Sequence, residues 1–247
     1  MAVQWATVVA GTETPAGDGS TGAMRCILKL PDHSLVAGFL KKDPVEMVFA
    51  EVLAAILLKD WGLPVPSPYL VRDGSDVWFA SADVGYPNLK KRMAIDSLPP
   101  GNPAYPAAIA CAVQMALTLP SAPLAAVIDE AIDNRDRNLG NILWDGSEEV
   151  WIDHAHAFGL GASAGFVDVN KLCAMAVNSG DHAKFMEAVI QQWPDIGVAA
   201  VQAGQEHVAE LHDVEAWCDL VSTRLATIGM RLVNRFPPPD DLLAGIQ

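Results

Sequence analysis

A polar segment between two apolar runs constrains this chain most strongly. Residues 132–143 read Ile-Asp-Asn-Arg-Asp-Arg-Asn-Leu-Gly-Asn-Ile-Leu, and residues 150–154 read Val-Trp-Ile-Asp-His. We call residues 132–143 the polar loop. The order is Asp136, then Asn141 five residues later, then Asp153 twelve residues after that. Such a run is often only a turn, but the apolar residues on both sides would anchor it in a core, and a short strand would present the last aspartate.

These three side chains have the chemistry that phosphoryl transfer needs. Magnesium takes hard oxygen ligands and keeps several waters, so a carboxamide, a carboxylate and the phosphates of ATP suffice to hold it. Transfer also needs a group that aims the acceptor hydroxyl in line with the γ-phosphate. We therefore expect Asn141 and Asp153 to bind Mg²⁺ and Asp136 to accept or orient the acceptor hydroxyl. Arg137 would bridge the loop to Asp153 or to a phosphate.

The pattern along the chain predicts an α+β protein with two lobes. Strand-like runs separated by turn residues occupy 3–10, 24–30, 35–41, 69–72 and 77–80. Helical periodicity follows at 104–118, at 122–132 and, most strongly, at 213–236. We expect an antiparallel β lobe with one helix over residues 1–83, and a mainly helical lobe over residues 84–247 that carries the polar loop.

The helix of the first lobe has clear sequence limits. Asp43 is expected to cap it, with Pro44 in the first turn and Glu46 closing a capping box. Gly62 is expected to end it, because Pro64 and two further prolines forbid continuation.

A segment of small residues between the first two predicted strands could cover a triphosphate. Glycine lets backbone N–H groups approach phosphates closely, and the segment offers Gly17, Gly19, Ser20, Thr21 and Gly22. Similar sequences are common in plain hairpin turns. The position between two strands is what favours the phosphate role.

An ATP site also needs a lysine for the phosphates and an acidic partner for that lysine. Lys41 is favoured, although Lys42 stays open because neighbouring strand residues point to opposite faces, and Lys29 fits less well. These lysines could instead protect a sheet edge. For the partner, Glu51 lies within an apolar stretch, where a carboxylate is costly unless it is paired. Glu46 is already explained by capping, and a solvated Glu51 is the alternative.

With these residues in view, the chain resembles a HipA-like kinase domain, the bacterial branch of the protein-kinase-like fold. The resemblance rests on Asn-Arg-Asp-Arg at 134–137 with Asn141, on Trp-Ile-Asp-His at 151–154, and on Gly-Leu-Pro-Val-Pro at 62–66. It covers roughly residues 17–160. It implies ATP-dependent phosphorylation of a protein Ser or Thr hydroxyl, or less often of a small molecule or a lipid headgroup.

Two further expectations come with this resemblance. The adenine would be held by backbone groups of the connection between the lobes, around Ala80 and Ser81. In some relatives the phosphate-covering loop is itself phosphorylated, which switches activity off, and Ser20 and Thr21 occupy that place here.

Composition excludes several other classes of protein. The 247 residues carry a formal charge of −14, which argues against general binding to nucleic acids or to anionic membranes. No apolar run approaches the roughly 18 residues of a membrane span, and the N-terminus lacks a basic signal region. The four cysteines show no metal or disulfide spacing, so we expect reduced core residues in a cytoplasmic protein: Cys26, Cys111, Cys173 and Cys218. The oligomeric state and the acceptor stay open.

Two other functions remain in view. The chain could be a nucleotide-binding pseudokinase or scaffold that kept the fold and lost transfer. Alternatively, His154 and His156 beside Asp153 could form a transition-metal site of a hydrolase, although a strand would turn both histidines away from that aspartate. Either histidine could instead orient a neighbour through a hydrogen bond.

Overall fold

The first part of the chain is built from strands. The computed structural model describes residues 3–17, 22–99, 101–180 and 182–238. The strands before the polar loop are β1 (Gln4–Val8), β2 (Thr14–Pro15), β3 (Met24–Lys29), β4 (Leu35–Lys41), β5 (Pro68–Asp73) and β6 (Asp76–Ala82).

Five of these strands close into a small barrel in the order β1-β5-β6-β4-β3, with β3 pairing again to β1 and the short β2 added to β3. The pairs are antiparallel except β1–β5, which is parallel. The expectation of a wholly antiparallel sheet is therefore wrong at one pair. A helix crosses between β4 and β5, and a crossover of this kind allows a strand to return in the parallel direction.

Small and aliphatic side chains and one tyrosine form the core of the barrel: Ala6, Cys26, Leu28, Leu40, Tyr69, Val71 and Ala80. Gly38 on β4 is needed for the close approach of the strands. A Cβ there would lie 2.7 Å from Leu28 Cδ1 and 2.8 Å from the carbonyl oxygen of Ser81. Because side chains alternate along a strand, Leu40, two residues after Gly38, also points inward. Lys41 therefore lies on the outer face of the barrel.

The crossing helix, α1 (Val45–Asp60), begins one residue later than predicted. Pro44 is its N-cap residue, with ψ 148°, and no side chain caps the first turn. The capping roles of Asp43 and Glu46 are therefore wrong, because the extended Pro44 holds Asp43 outside the helix. The predicted end is confirmed: Gly62 adopts φ +84°, and the amides of Gly62 and Leu63 bond back to the last helical turn.

The remaining helices follow β6 along the chain. They are α2 (Leu89–Arg92), α3 (Tyr105–Thr118), α4 (Ala122–Ala131), α5 (Leu160–Ser163), α6 (Lys171–Ser179), α7 (His182–Gln192), α8 (Val198–Val208), α9 (Glu215–Leu225) and α10 (Ile228–Val233). The predicted helices at 104–118 and 122–132 are confirmed. The long helix predicted at 213–236 is divided, because the backbone of Thr227 leaves the helical region at φ −124°.

The main core surrounds α1, which is buried continuously from Val48 to Leu58. One side of α1 packs on β5 and β6 of the barrel, and another side packs on α8. A hairpin of β7 (Ile142–Trp144) and β8 (Glu149–Trp151) follows α4. This hairpin carries the end of the polar loop into the same core.

The structure bears on two expectations from the sequence, one about membrane spans and one about the burial of the cysteines. Over the described residues, no single helix has the length and hydropathy to cross a membrane. The bent pair α3 and α4, at 87° to each other, passes that test only when the two are taken together. All four cysteines are free, and three are buried, but Cys111 is exposed. The prediction of four core cysteines is therefore wrong at that position.

Candidate active site

Lys41 is the lysine that reaches Asp153. Its Nζ donates a hydrogen bond to Asp153 Oδ1 at 2.7 Å and lies 3.6 Å from Glu51 Oε2. Lys42 points the other way, and its Nζ lies 3.9 Å from the centre of the Trp78 ring. Lys29 is exposed at the end of β3. Barrel closure decides between the three lysines, because it assigns the outer face of β4 to Lys41.

Glu51 is buried in α1 and faces two partners. Besides the Lys41 ammonium, its Oε2 accepts a hydrogen bond of 2.9 Å from the backbone N–H of His154. Burial raises the pKa of Glu51, and the charge of Lys41 offsets only part of that effect. The carboxylate is therefore held in the core by a cation and a backbone donor, as its apolar sequence surroundings predicted.

The charges of Lys41, Glu51 and Asp153 stabilise one another. Burial alone would lower the pKa of Lys41, but the neighbouring carboxylates of Glu51 and Asp153 raise it above its ordinary value. Burial alone would raise the pKa of Asp153, but the charge and hydrogen bond of Lys41 hold it below its ordinary value. At neutral pH the pair is thus an ammonium and a carboxylate. The Asp153 side chain remains 31% exposed, which leaves it open to solvent on one side.

The polar loop brings Asp136 and Asn141 to the same place as Asp153. The Asn141 side-chain amide donates to the carbonyl oxygen of Asp136 at 3.1 Å. The backbone N–H of Ile152, beside Asp153, donates to the carbonyl oxygen of Asn141 at 3.1 Å. Burial and then the charge of Asp153 raise the pKa of Asp136. The three residues that carry the predicted oxygen-bearing side chains therefore lie close together, and the charge of Asp153 acts on the protonation of Asp136.

Arg137 is 1% exposed and uses all five of its N–H donors inside the protein. Two go to the Asp129 carboxylate at 2.8 and 2.9 Å, and one goes to His154 Nε2 at 2.9 Å. The last two go to the carbonyl oxygens of Ile152 at 3.0 Å and Asn141 at 3.4 Å. Arg137 thus bridges the loop to Ile152 and His154, the two neighbours of Asp153, and all five donors are occupied within the protein.

His154 is neutral and structurally engaged. Burial, followed by the charges of Arg137 and Lys41, holds its pKa well below the ordinary value. Because Nε2 accepts from Arg137, the ring proton is on Nδ1, which faces Glu51 at 4.0 Å. The imidazole is then a hydrogen-bond acceptor that orients Arg137, the role left open for it in the sequence.

The rival metal-hydrolase interpretation finds no support in the geometry. His154 has its lone pair occupied, and His156 packs edge-on against Phe166 at 5.0 Å. Throughout the described residues, no group of three His, Cys, Asp or Glu side chains is arranged to hold a metal ion. A site that combines Asn141, Asp153 and phosphate oxygens is of a different kind and is not addressed by that observation.

Sequence reasoning missed two acidic residues of α4. Asp129 holds Arg137 and also accepts a 2.8 Å bond from the Asn134 side chain. Its neighbour Glu130 is 2% exposed. The Glu130 carboxylate accepts bonds from three arginines, of α9, of α10 and of the turn that follows α10: Arg224, Arg231 and Arg235. Both carboxylates lie in an apolar helix, so the argument that identified Glu51 would have identified them too.

The predicted nucleotide contacts of the barrel are only partly described. Gly17 and Gly22, at φ +76° and +66°, flank the hairpin loop between β2 and β3. Gly19, Ser20 and Thr21 lie outside the described residues.

The expected adenine contact at Ala80 and Ser81 stays a prediction. Both residues lie inside β6, which pairs with β4 on one side and β5 on the other. The N–H of Asp83, the residue after this strand, donates to the Ala37 carbonyl at 2.8 Å, so the connection to the helical part of the chain begins later than the sequence predicted.

Two cavities lie away from the Lys41 cluster. One of about 190 Å³ lies between β1, α1 and β5, and one of about 510 Å³ lies between α7 and the end of α9 with α10. The first has a mixed lining that includes Gln4, Lys59, Asp60 and Ser67, and the second is lined mainly by apolar residues. Neither lining includes the polar loop or the Lys41 cluster.

Comparisons with known proteins identify a fold. No family model matches the sequence, and no curated protein matches it. The crystal structure of a Helicobacter pylori proinflammatory kinase, CtkA, superposes with a TM-score of 0.56 at 13% identity, covering 92% of this chain and 98% of that chain. The open conformation of CtTel1 gives a TM-score of 0.47 at 12% identity, over 88% of this chain and 11% of that one. The chain therefore has an α+β, kinase-like fold.

Proposed function

We propose that this chain is an ATP- and magnesium-dependent phosphotransferase, HipA-like in kind, that phosphorylates a Ser or Thr hydroxyl of a protein. One observation carries the proposal: Lys41 lies between Glu51 and Asp153, beside the loop of Asp136 and Asn141. The kinase-like fold supports it. In this proposal residues 1–83 form the lobe that covers the phosphates, residues 84–247 form the catalytic lobe, and the protein works in the cytoplasm.

The donor set fits magnesium. Asp153 supplies an ionised, partly exposed carboxylate. The Asn141 amide nitrogen is fixed on the Asp136 carbonyl, which turns the Asn141 oxygen away from that bond and leaves it for a cation. Oxygen ligands of these two types, with phosphate oxygens and water, suit Mg²⁺. When bound, the ion would neutralise charge that develops on the transferred phosphoryl group.

The barrel side would hold the nucleotide. Lys41 is a charged donor fixed by Glu51, so its ammonium can move from Asp153 to the α- and β-phosphates without losing its acidic partner. Gly17 to Gly22 would cover the triphosphate, and backbone groups around Ala80 and Ser81, towards the end of β6, would receive the adenine.

The polar loop would act on the acceptor. Burial and the charge of Asp153 make Asp136 a stronger base than a free aspartate, and a base of this kind suits a hydroxyl that must be aimed and relieved of its proton. Arg137 would act as a positioning residue, because it holds the carbonyls of Asn141 and Ile152 in place.

The test is incubation with γ-labelled ATP and Mg²⁺, using self-labelling and a mixture of Ser and Thr peptides as acceptors. Asp136→Asn, Asp153→Asn and Lys41→Met should each reduce transfer by at least about 100-fold, as expected when a group that stabilises the transition state is removed. Lys42→Met is the matched control, since its side chain lies on Trp78, and it should stay within about two-fold.

Equal labelling by all five proteins would contradict the proposal. Stabilisation by Mg-ATP without turnover would instead identify a nucleotide-binding scaffold. Transfer to a lipid headgroup or a small molecule, with no transfer to peptides, would keep the phosphotransferase and refute the protein acceptor.

A further inference from the structure

A lysine of α2 lies against the polar loop. A Cβ built on Gly140 would lie 3.8 Å from the Nζ of Lys90 and 3.9 Å from its Cε. Gly140 directly precedes Asn141. Its backbone N–H donates a 2.8 Å hydrogen bond to the side-chain oxygen of Asn138 in the same loop. The Lys90 ammonium is therefore beside the segment that joins the proposed hydroxyl-orienting residue to the proposed metal ligand.

This ammonium has no acidic partner among the residues that the structure describes: no carboxylate there comes within ion-pair distance of Lys90. The chain has 30 acidic residues and 16 lysines and arginines, so chance alone would favour a partner. Three of those cations are consecutive in α2: Lys90, Lys91 and Arg92. Arg92 lies over the ring of Trp144, 5.6 Å from its centre.

The backbone of α2 is anchored beside the loop, which keeps the attachment point of the Lys90 side chain there. Asn88 caps α2 by accepting from the Lys91 N–H at 3.0 Å, and it forms a β-bridge with Leu143. The Trp144 N–H donates to the Pro87 carbonyl at 2.9 Å. The helix is thus attached to β7, the strand that continues the polar loop.

We propose that the acceptor of this phosphotransferase is an acidic peptide segment, a Ser or Thr flanked by Asp or Glu, with Lys90 as the residue that selects it. This inference rests on the proposed function. A charge fixed beside the loop attracts acidic neighbours of the hydroxyl and repels basic ones. A peptide touches only this local cluster, whereas an anionic bilayer would meet the wider surface of a chain with net charge −14, which repels it.

The experiment compares two synthetic peptides that share one central Ser and differ only in flanking Glu or Lys residues. Phosphotransfer is measured as kcat/KM for wild type, Lys90→Met and Lys90→Glu. Lys184→Glu, an exposed position on α7, makes the same charge change elsewhere and is the matched control. We expect wild type and Lys184→Glu to favour the acidic peptide by about five-fold or more, the size of an attraction plus a repulsion at a partly exposed site. Lys90→Met should lose the preference, and Lys90→Glu should reverse it.

Binding gives a readout that does not need transfer. Fluorescence anisotropy of the same labelled peptides, with Mg-ADP present, should show the same order of preference, weakened at high salt. Equal affinity of wild type for both peptides, or an equal loss of preference in Lys184→Glu, would overturn the inference.

The remaining outcomes separate this inference from the proposed function. A rise in the KM for ATP in Lys90→Glu that is equal for both peptides would assign Lys90 to the nucleotide and refute acceptor selection. Lys90-dependent binding to vesicles of phosphatidylcholine with phosphatidylserine, without a peptide preference, would refute the peptide in favour of a lipid. If wild type neither transfers phosphate nor hydrolyses ATP, the proposed function fails. The anisotropy measurement still tests the peptide preference in that case, because binding does not require transfer.

Discussion

The buried, neutral His154 predicts a measurable loss of stability in mild acid. Folding removes this imidazole from water and places it beside the charges of Arg137 and Lys41, so its pKa in the folded protein lies well below the ordinary value. In the unfolded chain the ring takes a proton near its ordinary pKa of about 6.5. The unfolded state therefore binds more protons than the folded state as the pH falls through that value, and stability decreases.

The magnitude follows from the linkage relation. Between pH 7 and pH 5 the unfolded imidazole changes from mostly neutral to almost fully protonated, while the folded imidazole stays neutral. This difference lowers the free energy of unfolding by about 2 kcal/mol. Above pH 7.5 both states are neutral, and the contribution of His154 no longer changes with pH.

His154→Gln provides the comparison. The glutamine oxygen can accept from Arg137 but does not titrate in this range. Urea unfolding, followed by tryptophan fluorescence, should give a wild-type stability that falls by about 2 kcal/mol more than that of the variant from pH 7 to pH 5. From pH 7.5 to pH 9 the two curves should run parallel. Parallel curves over the whole range would refute the reasoning, as would an NMR titration of the His154 ring near pH 6.5 in the folded wild type.

Two further predictions concern groups outside the site. Glu130→Gln leaves three arginines around a neutral amide and should lower the free energy of unfolding by about 3–5 kcal/mol in urea; the exposed Glu187→Gln should stay within about 0.5 kcal/mol, and equal effects would contradict the buried network. A thiol reagent should modify one cysteine, Cys111, in the native protein and four after denaturation. Rapid native modification of a second thiol would contradict the burial of the other three, whose pKa values burial raises.

The parts of the site that were predictable share a local signal. The polar loop and Asp153 could be found because oxygen-bearing side chains interrupt apolar runs at fixed spacing. Glu51 could be found because a carboxylate in an apolar helix needs a partner. The same energetic reasoning applies to Asp129 and Glu130, so those two residues were within reach of the sequence.

Other features depend on long-range pairing that one sequence does not contain. Alternation places Lys41 and Lys42 on opposite faces of the strand. Which of these faces meets α1 is decided by the pairing of β1 with β3, which closes the barrel. The strand β6 continues past Ala80 because β4 pairs with it as far as Ala82. The start of α1 depended on a single torsion, the extended ψ of Pro44.

The contacts of Glu51 connect the barrel to the polar loop. Its carboxylate meets Lys41 from β4 and the His154 N–H from the segment after β8. The His154 ring then holds Arg137, which holds Asp129 in α4. A displacement of α1 therefore cannot leave Asp153 unaffected, because the bond at the His154 amide lies one residue away from it. For a phosphate to draw the Lys41 ammonium from Asp153, the lysine needs only to rotate about its fixed partner Glu51, while the rest of this chain of contacts stays closed.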